Sequence, residues 1–313
     1  MGDHEIPKIV LSGEVLGMER ESEAWKALTR KVREACERYG CFLVENYEKI
    51  PIELHEELFE TTKEIFDLPQ EKKLQYTKPH PIEGGYIGNH PLVPLYESFG
   101  IYGDDQVQAF QNLMWPEHDK PGFCEFLKCV NAKMLELNLL LLRMIMESYG
   151  VGEYYKSKAF GDNTVNNFRA MKYKVPKSKN EEGIGLGPHV DKTILTFLCD
   201  NSVRGLEALT QDGIWISLHI PKGALLVMVG DALEVLSNGR LQAAKHRVIM
   251  SGEKERYSCA FYTIPKDGVG IEVPQELVDE DHPLLYRPFV YSEYLEKHLT
   301  NTNFDALQVH AGI

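Results

Sequence analysis

From residue 164 onward, the chain is a series of short apolar segments separated by turn residues. Glycine-containing turns such as Asp212-Gly213 and Asn238-Gly239 lie between them. Many short strands at this spacing predict a closed or double-sheet all-β architecture, here a jelly roll. The predicted strands span residues 165–173, 193–199, 206–209, 214–218, 224–229, 246–250, 257–264 and 270–273.

The preceding part of the chain mixes helices and strands. Residues 6–11 and 41–44 predict strands, and residues 22–39 and 51–68 have the apolar spacing of amphipathic helices, which Gly40 and Pro69 would end. Residues 78–122 are rich in Pro and Gly and predict an ordered loop with little regular structure, which often marks a functional segment. A Leu-rich helix over 122–149 is predicted to back a sheet, with Gly150 as its cap.

A candidate metal site lies at the edge of the second predicted strand. His189 and Asp191 are two residues apart, so an extended chain would present both on one face. His246, at the start of a later apolar run, is the natural third ligand. Two His and one carboxylate suit non-haem Fe(II) and leave coordination positions open. Alternatively, Asp191 caps a turn and His246 is an ordinary strand residue.

A candidate anion clamp follows ten residues after His246. Arg256 and Ser258 share one face of the next predicted strand, where a guanidinium and a hydroxyl could hold a carboxylate. By itself an Arg two residues before a Ser is uninformative. The order and spacing of all five residues, set among short apolar strands, are much more specific.

Two other chemistries are disfavoured by the motifs. The glycines at 183, 185 and 187 lack the Gly-x-Gly-x-x-Gly order and precede a strand, which favours a flexible segment leading into the metal strand over a nucleotide loop. No Gly-x-Ser-x-Gly elbow of a serine hydrolase occurs.

Composition limits the partners and the compartment. The formal charge of −13 argues against a nucleic-acid or anionic-membrane surface, although a local basic pocket for an anionic substrate stays open. The six cysteines form no Cys-x-x-Cys pair and suggest reduced thiols. The N-terminus has no apolar signal core, and the apolar run 135–146 is too short to span a bilayer. We therefore expect a cytoplasmic monomer acting on a small molecule, with no nucleic-acid or membrane partner.

The sequence resembles the plant 2-oxoglutarate- and Fe(II)-dependent dioxygenases over nearly its whole length, and most of all the AOP-like group, which oxidises glucosinolate side chains, with relatives acting on steroidal alkaloids. The family signature is His-x-Asp, then His, then Arg-x-Ser. The stretches that carry the resemblance are Gly187-Pro188-His189-Val190-Asp191-Lys192, Met228-Val229-Gly230-Asp231, Ser237-Asn238-Gly239-Arg240-Leu241, His246-Arg247-Val248, Glu276-Leu277-Val278-Asp279, Asp281-His282-Pro283 and Arg287-Pro288-Phe289.

The resemblance implies a mainly β fold with helices, a double-stranded β-helix preceded by an N-terminal α/β cap region and a long supporting helix. The implied division is residues 1–120 as cap region and substrate loop, 121–163 as supporting helix, 164–270 as the Fe(II)/2-oxoglutarate core and 271–313 as a C-terminal segment. Part of this last segment, residues 289–295, is expected to close over the site as a lid.

The resemblance also implies the chemistry and the residues that perform it. His189, Asp191 and His246 would bind Fe(II), while Arg256, Ser258 and Tyr173 would bind 2-oxoglutarate. With O2 as the other co-substrate and ascorbate as a supporting reductant, the oxidation of a substrate would be a hydroxylation, a desaturation or a dealkylation. The candidate substrate contacts are the aromatic residues Phe110, Trp115, Phe261 and Tyr291, with Tyr86 and Phe99 as further pocket walls.

Three positions depart from the family pattern. Met171 stands where relatives often have Asn, which removes one polar contact near the co-substrate. Pro188 and Val190 also differ from the usual residues, and Val190 is expected to point away from the metal. Two other functions remain alternatives: an iron oxidase on the same fold that does not use 2-oxoglutarate, and a catalytically silent small-molecule binding protein.

Overall fold

The computed structural model describes residues 6–20, 22–78, 84–88, 90–116, 120–158, 160–176, 182–298 and 304–313. The strands of the described chain are β1 (Lys8–Val10), β2 (Cys41–Glu45), β3 (Gly85–Ile87), β4 (Tyr96–Tyr102), β5 (Thr164–Tyr173), β6 (Gly183–His189), β7 (Leu195–Asp200), β8 (Leu206–Leu209), β9 (Trp215–Ser217), β10 (Leu225–Val229), β11 (His246–Met250), β12 (Arg256–Pro265), β13 (Gly270–Ile271) and β14 (Phe289–Val290).

Helices cover much of the rest of the described chain. They are α1 (Gly13–Leu16), α2 (Glu23–Tyr39), α3 (Ile52–Asp67), α4 (Gln70–Leu74), α5 (Asp104–Met114), α6 (Phe123–Ser148), α7 (Gly152–Ser157), α8 (Phe160–Asn163), α9 (Asp231–Leu236), α10 (Tyr291–His298) and α11 (Ala306–Ala311), with a 3-10 turn at Gln275–Leu277. None of these described helices has both the length and the apolar character needed to cross a membrane.

Two stacked sheets form the centre of the described structure. The larger has eight strands in the order β1-β2-β10-β7-β12-β5-β4-β3, and the smaller has four in the order β6-β11-β8-β9. An apolar layer between them includes Leu198 and Ala260 from the larger sheet and Leu206 and Val248 from the smaller. This is the double-sheet jelly roll predicted from the strand pattern, and the prediction is confirmed.

Helices α2, α3 and α6 pack against the outer face of the larger sheet, and α2 also packs against α6. Helix α2 forms where predicted because Ser22 caps its first turn, accepting a hydrogen bond from the backbone of Trp25 at 3.1 Å. It ends at Gly40, whose φ of 65° is a left-handed conformation that glycine adopts without strain. The long helix α6 was also correctly predicted.

Side chains on the central strands alternate between the two faces of the larger sheet. On β12, Phe261 belongs to the outer core beneath the helices, whereas Ala260 faces the smaller sheet. On β5, Phe168 points outward, whereas Tyr173 lies in the inner layer. The period of two therefore decides which residues reach the interior of the jelly roll.

Two predictions about irregular segments are wrong. Residues 78–122 were predicted to have little regular structure, but they contain β3, β4 and α5. Pro79 and Pro81, on which the prediction partly depended, lie outside the described residues. The prediction failed because the Pro- and Gly-rich flanks concealed β4, in which buried Glu97 is paired with Lys73. The glycine-rich segment 183–187 is also regular structure, since it is part of β6 and pairs with β11.

The first 120 residues and the core share one sheet. Strands β1 to β4 lie in it beside β10 and β5, so the larger sheet combines residues of the implied cap region with residues of the implied core. The four-part division of the chain stays a prediction.

Candidate metal centre and adjoining cavity

The three predicted metal ligands come together at one end of the smaller sheet. His189 ends β6 and His246 begins β11, and the two are directly opposite in the paired strands. Their ring centroids are 4.1 Å apart. With Asp191, they offer donor atoms that all lie within 4.8 Å of one another. This group can hold one metal ion.

An irregularity in the pairing of β6 with β11 directs His189 toward the site. His246 is opposite His189, but Val248 is opposite Leu186, so β6 contains one extra residue between them. Such a bulge redirects side chains and tolerates a proline, here Pro188. Pro188, which departs from the family pattern, therefore lies where the strand is already irregular.

Backbone carbonyls orient both imidazole rings. Nδ1 of His189 is 2.8 Å from the carbonyl oxygen of Gly187, and Nδ1 of His246 is 2.9 Å from that of Ala244. Because a carbonyl only accepts hydrogen bonds, each Nδ1 carries a proton and donates it, and each Nε2 keeps its lone pair for a metal. Thr196 donates to Oδ2 of Asp191 at 2.6 Å and leaves Oδ1 available.

The electrostatics of the site favour the neutral, ligating form of His189. Burial, together with neighbouring His246, lowers the pKa of His189 to about 4, although the charge of Asp191 opposes the shift. A neutral imidazole at physiological pH is the form that binds a metal ion.

A buried network behind Asp191 was not predicted from the sequence. The backbone N–H of Asp231 donates to the carbonyl of Asp191 at 2.9 Å, and Lys192 forms a 3.0 Å ion pair with the Asp231 carboxylate. Tyr294 of α10 donates to the same carboxylate, and Tyr291 donates to the carbonyl of Lys192 at 2.8 Å. Helix α10 thus holds the loop that carries Asp191.

The predicted clamp residues are neighbours on the inner face of the larger sheet. Arg256 and Ser258 are on β12, and Tyr173 is opposite Arg256 on β5 with its ring 5.3 Å from the guanidinium. Arg256 is 1% exposed and donates to Oδ2 of Asp200 at 2.8 Å, a partner that the sequence analysis missed. The hydroxyl of Tyr173 donates to the sulfur of Met171 at 3.5 Å.

Two polar atoms at the clamp are buried without a partner. Nε of Arg256 and Oγ of Ser258 make no hydrogen bond in the described structure. Buried polar groups are rarely left unpaired, so both are suited to receive an acceptor from a ligand. The carboxylate of 2-oxoglutarate fits this pair of donors.

A cavity of about 340 Å³ adjoins the metal centre, near the lower end of the roughly 300–1,000 Å³ typical of small-molecule sites. His189 and Asp191 are part of its wall, and so is Val190, which was expected to point away from the metal. Leu295 of α10 also borders the cavity, which places the predicted lid segment beside it. The remaining polar and aromatic wall residues are Tyr96, Tyr102, Asn167, Arg169, Lys192, Thr193, Tyr262 and Tyr291.

Of the four candidate substrate contacts, the structure brings Tyr291 to the cavity. Phe110 and Phe261 are fully buried in the outer core, and Trp115 packs against Phe110 there. Phe261 points outward because it alternates with Tyr262, which lines the cavity. Along β12, Arg256, Ser258 and Tyr262 are separated by even numbers of residues and therefore share one face of the strand. This periodicity could have identified Tyr262, and not Phe261, as the residue that lines the cavity. Tyr86 and Phe99 also lie in the outer core.

Comparison with known proteins agrees with this geometry. Residues 161–265 match the model of the 2OG-Fe(II) oxygenase superfamily, and residues 6–118 match that of the N-terminal region of non-haem dioxygenases in morphine synthesis. The chain is 38% identical over 282 residues to the probable 2-oxoglutarate-dependent dioxygenase AOP1 of Arabidopsis thaliana, covering 88% of this chain and 85% of that relative.

Solved structures give the same family. The dioxygenase for auxin oxidation from rice superposes with a TM-score of 0.81 at 30% identity, over 98% of this chain and 100% of that one. The Arabidopsis thaliana dioxygenase for auxin oxidation 1, in complex with 2-oxoglutarate, superposes with a TM-score of 0.76 at 30% identity, over 89% and 99% of the two chains. The matching family models and relatives, together with the converging side chains, show that the protein is an enzyme of the 2-oxoglutarate- and Fe(II)-dependent oxygenase family.

Proposed function

We propose that this dioxygenase binds Fe(II) through His189, Asp191 and His246, binds 2-oxoglutarate through Arg256 and Ser258, and oxidises a small organic molecule held in the adjoining cavity. The single observation that carries the proposal is the convergence of three donor atoms within 4.8 Å at the wall of that cavity. The bound iron and 2-oxoglutarate supply O2 activation, in which 2-oxoglutarate becomes succinate and CO2 while a substrate C–H bond is oxidised.

Hydrogen bonds within the protein preorganise the proposed metal ligands. Gly187 and Ala244 keep both rings with Nε2 toward the site, and Thr196 restrains the carboxylate of Asp191. Restrained ligands lose little conformational freedom on binding, which favours metal affinity. With three protein ligands of this type, coordination positions remain for the co-substrate and O2.

The clamp recognises the far carboxylate of 2-oxoglutarate. Arg256 is already paired with Asp200 through Nη2, while its Nε is a buried donor without a partner among the described residues, and Ser258 supplies a second donor nearby. Tyr173 closes the site with its ring against the guanidinium. Donors placed in advance in a buried pocket favour an anion of matching geometry.

The substrate is a small molecule of the kind oxidised in plant hormone or specialised metabolism. Relatives named as dioxygenases for auxin oxidation and as AOP1 support this class. The cavity of about 340 Å³ has room for a molecule of that size. Hydroxylation, desaturation and dealkylation are the outcomes that this chemistry allows.

Turnover in the presence of a metabolite panel tests the proposed function. Purified enzyme with Fe(II), 2-oxoglutarate, ascorbate and O2 should form succinate together with a product altered by one oxygen, by two hydrogens or by the loss of a methyl group. Omission of 2-oxoglutarate should stop both. An accepted substrate that is oxidised without 2-oxoglutarate would instead show an iron oxidase, and binding without any turnover would show a silent binding protein.

The cellular setting is part of the proposal. The six cysteines are all free thiols, five of them buried, as expected of a protein in a reducing compartment such as the cytoplasm. A monomer suffices for the proposed site, because every proposed ligand comes from one chain.

A further inference from the structure

In the part of the chain that the structure describes, Arg169 is a buried cation with no buried anion beside it. Among the described residues, the buried lysines and arginines are Lys73, Lys192, Arg256 and Arg169. The first three pair with Glu97, Asp231 and Asp200 respectively. Arg169 has neutral partners: it donates to Oγ of Ser98 at 2.9 Å and to the hydroxyl of Tyr102.

The guanidinium of Arg169 lies in a space that its neighbours leave open. Arg169 is on β5, and its partners on the two adjacent strands are Gly100 of β4 and Ala260 of β12, both small. A Cβ added at Gly100 would come within 2.9 Å of Nη2 of Arg169. The small residues on either side therefore let the side chain extend into the interior of the jelly roll.

Arg169 and the metal ligands border the same cavity. Its wall includes Arg169, His189 and Asp191, with Tyr262 beside them. Burial raises the pKa of Tyr262 well above its usual value, so this phenol stays neutral and supplies no counter-charge. The apolar part of the wall is formed by Ile87, Leu186, Val190, Ile264 and Leu295, and the second cation of the wall, Lys192, is already paired with Asp231.

A permanent buried charge is unfavourable unless an opposite charge meets it. Arg stays protonated under all ordinary conditions, so the protein cannot remove the cost by releasing a proton. A planar carboxylate matches the guanidinium and restores the charge balance. The remaining wall would then hold an apolar body near the metal.

We propose that Arg169 binds a carboxylate of the substrate, so that the enzyme acts on small monocarboxylic acids with an apolar body. The proposal rests on the proposed function and gives it a substrate class. Binding at Arg169 anchors one end of the substrate and sets which C–H bond lies toward His189 and Asp191. In the proposed function a different arginine, Arg256, binds the carboxylate of 2-oxoglutarate.

Matched acids and amides test this proposal without the need to know the natural substrate. Phenylacetate, indole-3-acetate and octanoate are titrated calorimetrically, each beside its primary amide, into anaerobic enzyme loaded with Fe(II) and 2-oxoglutarate. At least one acid should bind about tenfold or more tightly than its amide, since hydrogen bonds to charged groups are strong. Equal binding of acids and amides, or no binding of any acid, overturns the proposal.

Variants then assign the preference to one side chain. Arg169→Gln should weaken acid binding about 10- to 100-fold and change amide binding by less than about threefold, whereas Arg169→Lys should keep part of the preference. The control Arg143→Gln removes an arginine that pairs with Glu147 on α6, away from the cavity, and should bind as the wild type does. An acid preference that survives in Arg169→Gln contradicts the assignment.

Binding of 2-oxoglutarate separates this proposal from the proposed function. Its dissociation constant should stay within about threefold of wild type in Arg169→Gln. A large loss there would place Arg169 in the co-substrate site and overturn the substrate role. If wild-type enzyme with Fe(II) fails to bind 2-oxoglutarate, the proposed function is refuted, whatever the acids do.

Discussion

The guanidinium of Arg256 donates through Nη2 to Oδ2 of Asp200 at 2.8 Å, and both side chains are buried. Asp200 ends β7 opposite Ser258, and its Oδ1 accepts a hydrogen bond from the backbone of Ser202 at 2.8 Å. A turn of the backbone thus positions the carboxylate, and the carboxylate positions the guanidinium. Nε of Arg256 and the hydroxyl of Ser258 remain without a partner in the described structure.

Replacing Asp200 should destabilise the protein because it leaves a buried cation without its partner. We expect Asp200→Ala to lower the free energy of unfolding by about 3 kcal/mol, and Asp200→Asn to cost less because its amide oxygen still accepts. Urea denaturation measures both. A change of less than about 0.5 kcal/mol in Asp200→Ala would show that the pair does not contribute to stability.

Arg256→Lys should raise the KM for 2-oxoglutarate about tenfold or more, because an ammonium cannot reproduce the contacts of a planar guanidinium. Initial rates of succinate formation at varied 2-oxoglutarate measure the effect. Arg143→Lys on α6 provides the matched control. An unchanged KM in Arg256→Lys would contradict the clamp.

His246→Ala should abolish Fe(II) binding and turnover while leaving the fold in place. The ring contributes one of three converging donors, and two ligands hold a divalent ion much more weakly. Metal content after dialysis and a circular dichroism spectrum measure the two properties. His282→Ala, which removes an exposed histidine paired with Asp279, should retain both iron and activity. Full activity in His246→Ala would refute the ligand assignment.

Thr196→Val should lower Fe(II) affinity by about 10- to 100-fold without removing a ligand, as is usual when a group that orients a ligand is lost. The valine preserves the shape of the buried side chain but cannot donate to Oδ2 of Asp191. Competition with a chelator measures the affinity. Thr29→Val, on α2, makes the same chemical change far from the metal and should have no effect on iron.

The candidate metal ligands could be predicted from the sequence because the spacing of His189 and Asp191 is local, although His246 reaches them only through the pairing of β11 with β6. His189 and Asp191 are brought near each other by covalent spacing alone, and His246 begins a strand whose apolar pattern is plain. Arg256 and Ser258 are likewise related by the period of an extended strand. Physical chemistry then restricts such a donor set to few metal ions.

The partners of these residues depended on strand order, which local patterns do not encode. Asp200 meets Arg256 because β7 and β12 are neighbours in the sheet, and Asp231 meets Lys192 across 39 residues of chain. Candidate aromatics such as Phe110 and Phe261 were chosen by residue type. Their place in the outer core follows from which face of each strand the helices cover.

The sequence by itself indicated the jelly-roll class through its short apolar strands and the candidate metal ligands through their donor types, and the chemistry followed from the resemblance of these motifs to a known family. Only the tertiary structure decided which side chains enclose the cavity and which buried charges are neutralised. Arg169 shows the difference: along the chain it is one arginine in a strand, but in the sheet it lies between Gly100 and Ala260 with no carboxylate among the described residues to pair with it. Pairing between distant segments, and not local propensity, sets the charge balance of a buried site.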